Sequence, residues 1–383
     1  MKSSVFTPAA ALLALFSFSF TAQAAIPEAP KLDATSYVLM DYDSGEVLVS
    51  SAPDFKTGPA SITKVMLSYI VFDEIKKDRI KLTDEVVISE KAWKQGIDSS
   101  ESRMFLDLGS RVKVEDLLHG VITQSGNDAS VALAEHVAGS ESAFADLMNQ
   151  YATKLGMKNT HFMNAPGMPD EQHFSTAYDL TLLGAALIRD FPEYYEWFSR
   201  PNFTFHGIKQ DNRNMMLAMD RSVDGIKTGH TEAAGYCLLS SAKRENRRLI
   251  AAVMGTKSKT YRAEASLELL NYGFRFFDSV KLMGRDQPAG SAKVWKGAAE
   301  IAQLGTLAPV YLSLPRGSAE KAEVRPEVSD KLIAPLAEGQ VVGTVTVLVD
   351  GKVVKTEPLV VLAEVPAGSF FKRLWDTIRL WFA

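Results

Sequence analysis

The chain has 383 residues, 46% of them hydrophobic and 23% charged, with a formal net charge of −4. That is a globular composition, which excludes a disordered tail protein, a collagen-like repeat and a polytopic membrane protein, and the charge leaves no basic footprint for nucleic acid. The one cysteine, Cys237, excludes an intrachain disulfide framework and a cysteine-rich metal site.

The N-terminus opens with Lys2, an apolar run from Ala9 to Phe16, and the small-x-small site Ala22-Gln23-Ala24. This anatomy predicts a secretory signal peptide over residues 1–24, too short to be a spanning helix. The mature chain is expected to start near Ala25 and to be exported. Residues 36–50 predict a hairpin turning at Asp43-Ser44-Gly45. A helix follows from Ser61 to about Lys77, behind Pro59. Helical patterns recur near 115–137, 142–155 and 177–190, and strand patterns at 223–228, 235–242 and 248–255. A further helix covers about 261–277. Strands at both ends with helices between them predict one mixed sheet with helices packed on it, over residues 25–279.

From about Val280 helical periodicity fades. Val341 to Val349 alternates residue by residue, Asp350-Gly351 is a hairpin turn, and strand character resumes at Val353. Residues 280–364 are therefore expected to form a small all-β domain. Val365 to Ser369 is a linker, and residues 365–383 end in an amphipathic helix. On that helix Phe370, Phe371, Leu374, Trp375, Ile378, Trp381 and Phe382 share one arc. Lys372, Arg373, Asp376, Thr377 and Arg379 take the other side, with Leu380 out of place. Such a helix either docks on its own domain or lies on a membrane interface.

Three short motifs carry chemistry, and each is weak alone. Ser61-Ile62-Thr63-Lys64 is S-x-x-K, which puts both side chains on one helix face. The pattern also occurs at Ser240–Lys243, Ser318–Lys321 and Ser369–Lys372. Ser61 differs from these in standing at a helix start, where free N–H groups favour developing negative charge. Ser125-Gly126-Asn127 is S-x-N, at a break in a helical stretch. Lys227-Thr228-Gly229 is K-T-G, ending a predicted strand and followed by His230. Lys56-Thr57-Gly58 has no strand before it and reads as a loop.

In that order the set resembles the penicillin-binding serine peptidases and related β-lactamases. The string Val223 to Thr231, with Gly235-Tyr236 and Gly273-Phe274-Arg275-Phe276-Phe277, resembles one branch closely. That branch is the low-molecular-mass D-alanyl-D-alanine carboxypeptidases of the penicillin-binding protein 5 and 6 type. The resemblance covers essentially the whole mature chain. It implies an α+β, transpeptidase-like domain with helices on an antiparallel sheet, then an all-β domain and a terminal anchor helix. It also implies peptidoglycan stem pentapeptide as substrate, acylation by β-lactams, and a place on the periplasmic face of the inner membrane. The sequence leaves the oligomeric state open between a monomer and a homodimer concentrated by the anchor.

A serine hydroxyl is a poor nucleophile without an adjacent base. The first motif offers no histidine, so Lys64 would serve if neutral, a state that burial and a second cation both favour. Lys227 is expected to be that cation, and Ser125 to relay a proton to the leaving amine. The resemblance implies an oxyanion hole from the backbone N–H groups of Ser61 and His230, and a substrate amide held by Asn127. A carboxypeptidase must also recognise a terminal carboxylate, for which Thr228 offers a hydroxyl, with Gly229 beside it on the substrate wall. Basic residues matching Arg213 and Arg262 would hold the terminal carboxylate, although each also reads as a surface arginine. Cys237 reads as a buried strand residue. The polar loop Trp93 to Asp107 would flank the site. No cofactor is implied, and the histidines show no metal spacing. A β-lactamase, a DD-endopeptidase and an inactive wall-binding scaffold are the rival readings. For the first, no glutamate stands out to activate a deacylating water.

Overall fold

A computed structural model describes residues 26–95, 97 and 101–382. The expected signal peptide and the loop centre Asp98-Ser99-Ser100 lie outside the described residues.

The central sheet has five strands in the order Val47–Ser51, Ser36–Asp41, Arg247–Thr256, Gly235–Arg244 and Val223–Thr231. Every neighbouring pair is antiparallel, so the expected mixed sheet is a purely antiparallel one. Alternation along a strand assigns each side chain to one of two cores. Val38, Met40, Ile250, Ala252 and Met254 face the larger helical layer. Tyr37, Leu39, Leu249, Ala251 and Val253 face the opposite side, where the Lys259–Phe276 helix packs Leu269, Leu270 and Phe274 against them. Both faces are covered, which is why these strands read as nearly continuous apolar runs.

The Thr63–Lys76 helix runs through the larger layer. Val65, Met66, Leu67, Ile70, Val71 and Phe72 are all fully buried. A helix apolar on every side belongs to a core. Each of these side chains stabilises the fold by about 1.5–3 kcal/mol on burial, so the helix is a fixed platform for whatever stands at its first turn. The 115–137 stretch breaks where expected. Val114–His119 runs into a wide turn at Gly120–Gln124, Ser125 takes a left-handed conformation with φ of 69°, and a new helix runs Asn127–Ala138. The 177–190 pattern is a helix with those bounds, capped by Thr176.

The C-terminal sheet has six strands, ordered Ala322–Val328, Val341–Val349, Lys352–Val361, Ile301–Gly305, Gly290–Trp295 and Leu332–Ile333. The strand Phe277–Met283 pairs with Val310–Pro315 beside it. At the junction with the first domain, Ser313 donates its N–H to the Glu46 carboxylate at 2.7 Å. The terminal helix, Phe370–Leu380, is docked by its polar side. Asp376 accepts from the Lys296 N–H at 2.7 Å, and Lys372 pairs with Glu300 at 3.0 Å. Leu380, out of place on the apolar arc, is half-buried on the same stripe as Lys372 and Asp376. The arc itself is open, with Phe371 81% and Trp381 80% exposed. Among the described residues no helix is long and apolar enough to cross a membrane.

Candidate active site

Ser61 stands in a single 3-10 turn, Ala60–Ile62, directly before the buried helix. Ala60 is held at φ of 49°, a conformation that costs an alanine about 1–2 kcal/mol and presents the next residue to the cleft. Lys64 lies one turn on and is 1% exposed. Its Nζ meets three oxygens: Ser61 Oγ at 3.0 Å, Asn127 Oδ1 at 2.8 Å and the Pro166 carbonyl at 2.7 Å. An amide oxygen and a carbonyl only accept, whereas a hydroxyl can also donate. A neutral Lys64 therefore spends its two N–H bonds on Asn127 and Pro166 and turns its lone pair to the Ser61 hydroxyl. The neutral form is accessible, because burial above all, and then the Arg213 guanidinium, push the Lys64 pKa down to about 7, against a pull from Asp128 and Glu101.

Lys64 faces two cations: Lys227, which repels it, and Arg213, outside the motif, which also opposes its protonation. Lys227 is itself buried and held well below the usual lysine range by burial, then by Lys64, Arg213 and Arg262. Its strand continues past Thr228 to Thr231, so Lys227-Thr228-Gly229 lies within an edge strand and does not end it. A Cβ on Gly229 would stand 2.7 Å from the Pro59 carbonyl oxygen. Only glycine lets this strand approach the turn that carries Ser61.

Ser125 Oγ is buried without a hydrogen-bond partner among the described residues, and Ser125 lines the same cleft. Thr228 also lines it. Arg262, read from sequence as equally well a surface residue, is 5% exposed and donates to the carbonyls of Gly229 at 3.0 Å and Cys237 at 3.4 Å. Arg213 is an exposed cleft residue whose Nε donates to the Gln124 carbonyl at 2.9 Å. The His230 ring is exposed and stacks on Tyr236 with centroids 4.0 Å apart. Cys237 is buried, and its thiol is pushed up to about 11 by burial. The cleft has a volume of about 620 Å³, and Ser61, Ser125, Asn127, Thr228, Gly229, His230, Arg213 and Arg262 all line it.

Four contributors escape sequence reading. Pro166 supplies a backbone oxygen, and its neighbour Gly167, at φ of 85°, has no room for a Cβ beside the Ala60 carbonyl. His173 ties that loop to the helix, meeting Thr63 Oγ1 at 2.9 Å and accepting from the Met163 N–H. Asp128 is buried and accepts from the N–H groups of Met104, Leu106 and Ala129, fixing the 101–107 segment on the helix start. Glu101 accepts from Asn127 Nδ2 at 2.9 Å. The polar loop stands out in the sequence, but the partners of these residues are far away along the chain.

A serine activated by a neutral lysine, facing a cationic wall, can take an acyl group from an anionic substrate. A family model described as D-alanyl-D-alanine carboxypeptidase matches residues 23–258, and one described as penicillin-binding protein 5, C-terminal domain, matches residues 277–367. The chain is 45% identical over 362 residues to D-alanyl-D-alanine carboxypeptidase DacA of Escherichia coli strain K12, covering 93% of this chain and 90% of the relative. It is 44% identical to DacC of the same strain, over 96% of this chain and 94% of that one. The crystal structure of penicillin binding protein 5 from Haemophilus influenzae matches with a TM-score of 0.84 at 42% identity, over 88% of this chain and 99% of that one. The chain belongs to the D-alanyl-D-alanine carboxypeptidase family, of the penicillin-binding protein 5 and 6 type.

Proposed function

We propose that the chain is a serine D-Ala-D-Ala carboxypeptidase that removes the terminal D-Ala from the peptidoglycan stem pentapeptide. The observation that carries this is the buried Lys64, with two obligate acceptors and the Ser61 hydroxyl around its Nζ. Ser61 Oγ attacks the carbonyl of the penultimate D-Ala while its proton passes to Lys64. The backbone N–H groups of Ser61 and His230 receive the oxyanion. Ser125 relays that proton, giving its own to the departing amine and taking one from Lys64, so D-Ala leaves and Lys64 is neutral again. Water then attacks the ester, its proton passing to the neutral Lys64 and from there to the Ser61 oxygen as the ester C–O bond breaks, which restores Ser61 and Lys64. Asn127 holds the substrate amide, Lys227 and Gly229 form the wall along which the substrate lies, and the Thr228 hydroxyl meets the terminal carboxylate. Arg213 and Arg262 supply charge for the terminal carboxylate, with Arg262 acting partly through the strand carbonyls it grips. Penicillins present an amide and a carboxylate to the same groups and acylate Ser61. No cofactor takes part in these steps.

In the same reading residues 1–24 direct export. The mature enzyme comprises a peptidase domain over 25–279, an all-β domain over 280–364 and an anchor over 365–383. It sits peripherally on the periplasmic face of the inner membrane. The docked polar side and open aromatic arc of the terminal helix support that placement. The test of function is mass spectrometry of a pentapeptide incubated with the mature protein. Loss of one D-Ala is the expected result. Cleavage confined to cross-linked peptide dimers would overturn it in favour of an endopeptidase.

A further inference from the structure

Asn127 is an amide, and an amide can face either way round. Toward Lys64 it presents Oδ1, at 2.8 Å from Nζ. On its other side Nδ2 donates to Glu101 Oε2 at 2.9 Å and to Met168 Sδ at 3.5 Å. An ionised carboxylate only accepts, so it can face Nδ2 and not Oδ1. The thioether is a weak acceptor and exerts little hold. The reversed amide would send an N–H to Lys64, where a neutral lysine has only its lone pair to offer. That lone pair would then be taken by Asn127 instead of by the Ser61 hydroxyl.

We infer that Glu101 is a positioning residue for catalysis: by accepting from Asn127 Nδ2 it fixes the amide so that Oδ1 faces Lys64 and the lysine lone pair stays directed at Ser61. The inference rests on the proposed role of Lys64 as base. Glu101 lies in the polar loop that flanks the cleft, a segment the three motifs do not contain, and it lines the cleft with Ser61 and Asn127. The loop is held in register by a hydrogen bond from the Asn127 N–H to the Ser102 carbonyl and by Asp128 beneath Met104. The backbone that carries Glu101 is thus held against the residue it orients.

The charge of Glu101 has its own signature. The charged and titratable groups facing Lys64 are Arg213 and Lys227 from the strand side, Asp128 from the helix, Glu101 from the loop, and His173 beneath the Pro166 turn. Glu101 and Asp128 favour the protonated lysine; the cations oppose it. Removing the Glu101 charge therefore lowers the pH at which Lys64 becomes a base.

The experiment compares acylation by a labelled penicillin across pH 5 to 9 for wild type, Glu101→Gln and Glu101→Ala, with thermal melts of each. Gln keeps an oxygen for Asn127 and loses the charge. The Glu101→Gln rate should stay within about twofold of wild type at high pH, while the midpoint of its acid limb moves down by about half a unit. Below pH 7 it should be faster than wild type. Glu101→Ala frees the amide, and its plateau rate should fall about tenfold to hundredfold, the loss expected of one hydrogen bond to a charged group, with the melting temperature kept. An unmoved midpoint in Glu101→Gln, or a wild-type plateau in Glu101→Ala, would overturn the inference. A wild-type profile flat through pH 7 would overturn the neutral-lysine reading beneath it, which is a different result.

Discussion

Replacing Asp128 by alanine should unseat one wall of the cleft. Asp128 is 1% exposed. Its carboxylate accepts from the Met104 N–H at 2.8 and 3.0 Å, from Leu106 at 3.2 Å and from Ala129 at 2.9 Å. Alanine leaves three N–H groups without that acceptor. Each buried donor so stranded costs about 1–3 kcal/mol, and partial rehydration of the helix start brings the total to about 3–5 kcal/mol. At about 2–4 °C per kcal/mol for a domain of this size, the melting temperature should drop by roughly 6–20 °C. Met104 is also the side chain packed against Gly120, so the loop cannot simply slide. Acylation should fall together with stability, because the same loop carries Glu101 and the Ser102 carbonyl that accepts from Asn127. Asp128→Asn, which keeps one acceptor oxygen, should lie between. The assay is thermal denaturation followed by circular dichroism, paired with the penicillin acylation rate below the transition. A drop smaller than about 2 °C, with an unchanged rate, would refute the claim that this carboxylate holds the loop.

Lys64→Arg keeps the charge but cannot supply a neutral base, so stopped-flow acylation should show a loss of orders of magnitude. The wild-type rate should rise with pH through the Lys64 value of about 7. Stability should follow the same group. The folded pKa lies below the ordinary 10.5, so between about pH 7 and 10.5 the unfolded chain binds the extra proton. Lys64 therefore costs stability below pH 7, and that cost fades as pH climbs through the window. Denaturant melts of wild type against Lys64→Met across those pH values check the slope. Truncation after Val365 should move the mature enzyme from membrane to soluble fractions with unchanged activity on a small peptide. Asp at Trp375 and Ile378 should do the same, and a truncated protein still found with the membrane would place the anchor elsewhere.

Much of the fold follows from local pattern. The 177–190 helix, the Val341–Val349 strand and the break at Ser125-Gly126-Asn127 all stand where periodicity and turn residues put them. Helix and strand periods survive in one sequence because each depends on neighbours a few residues apart. The site was legible in its motif residues and illegible in what holds them. Lys64 meets Pro166 across 102 positions and Asn127 across 63, and Thr63 meets His173 across 110. A backbone carbonyl leaves no mark on the identity of its residue. Arg262 could be read as surface or buried because burial is a property of the assembled sheet and helix. Asp376 and Leu380 show the same limit at the other end. A helical wheel separates the two sides of the terminal helix, but only the folded chain tells that the polar side is the docked one.

The mechanism requires that Ser61, and no other serine of an S-x-x-K pattern, carries the acyl group. The direct measurement is peptide mapping of the mature protein after brief exposure to labelled penicillin, with a folded Ser61→Ala protein beside it. One adduct is expected, on the peptide containing Ser61, and none in Ser61→Ala at an unchanged melting temperature. An adduct at Ser240, Ser318 or Ser369, or full labelling of folded Ser61→Ala, would contradict it.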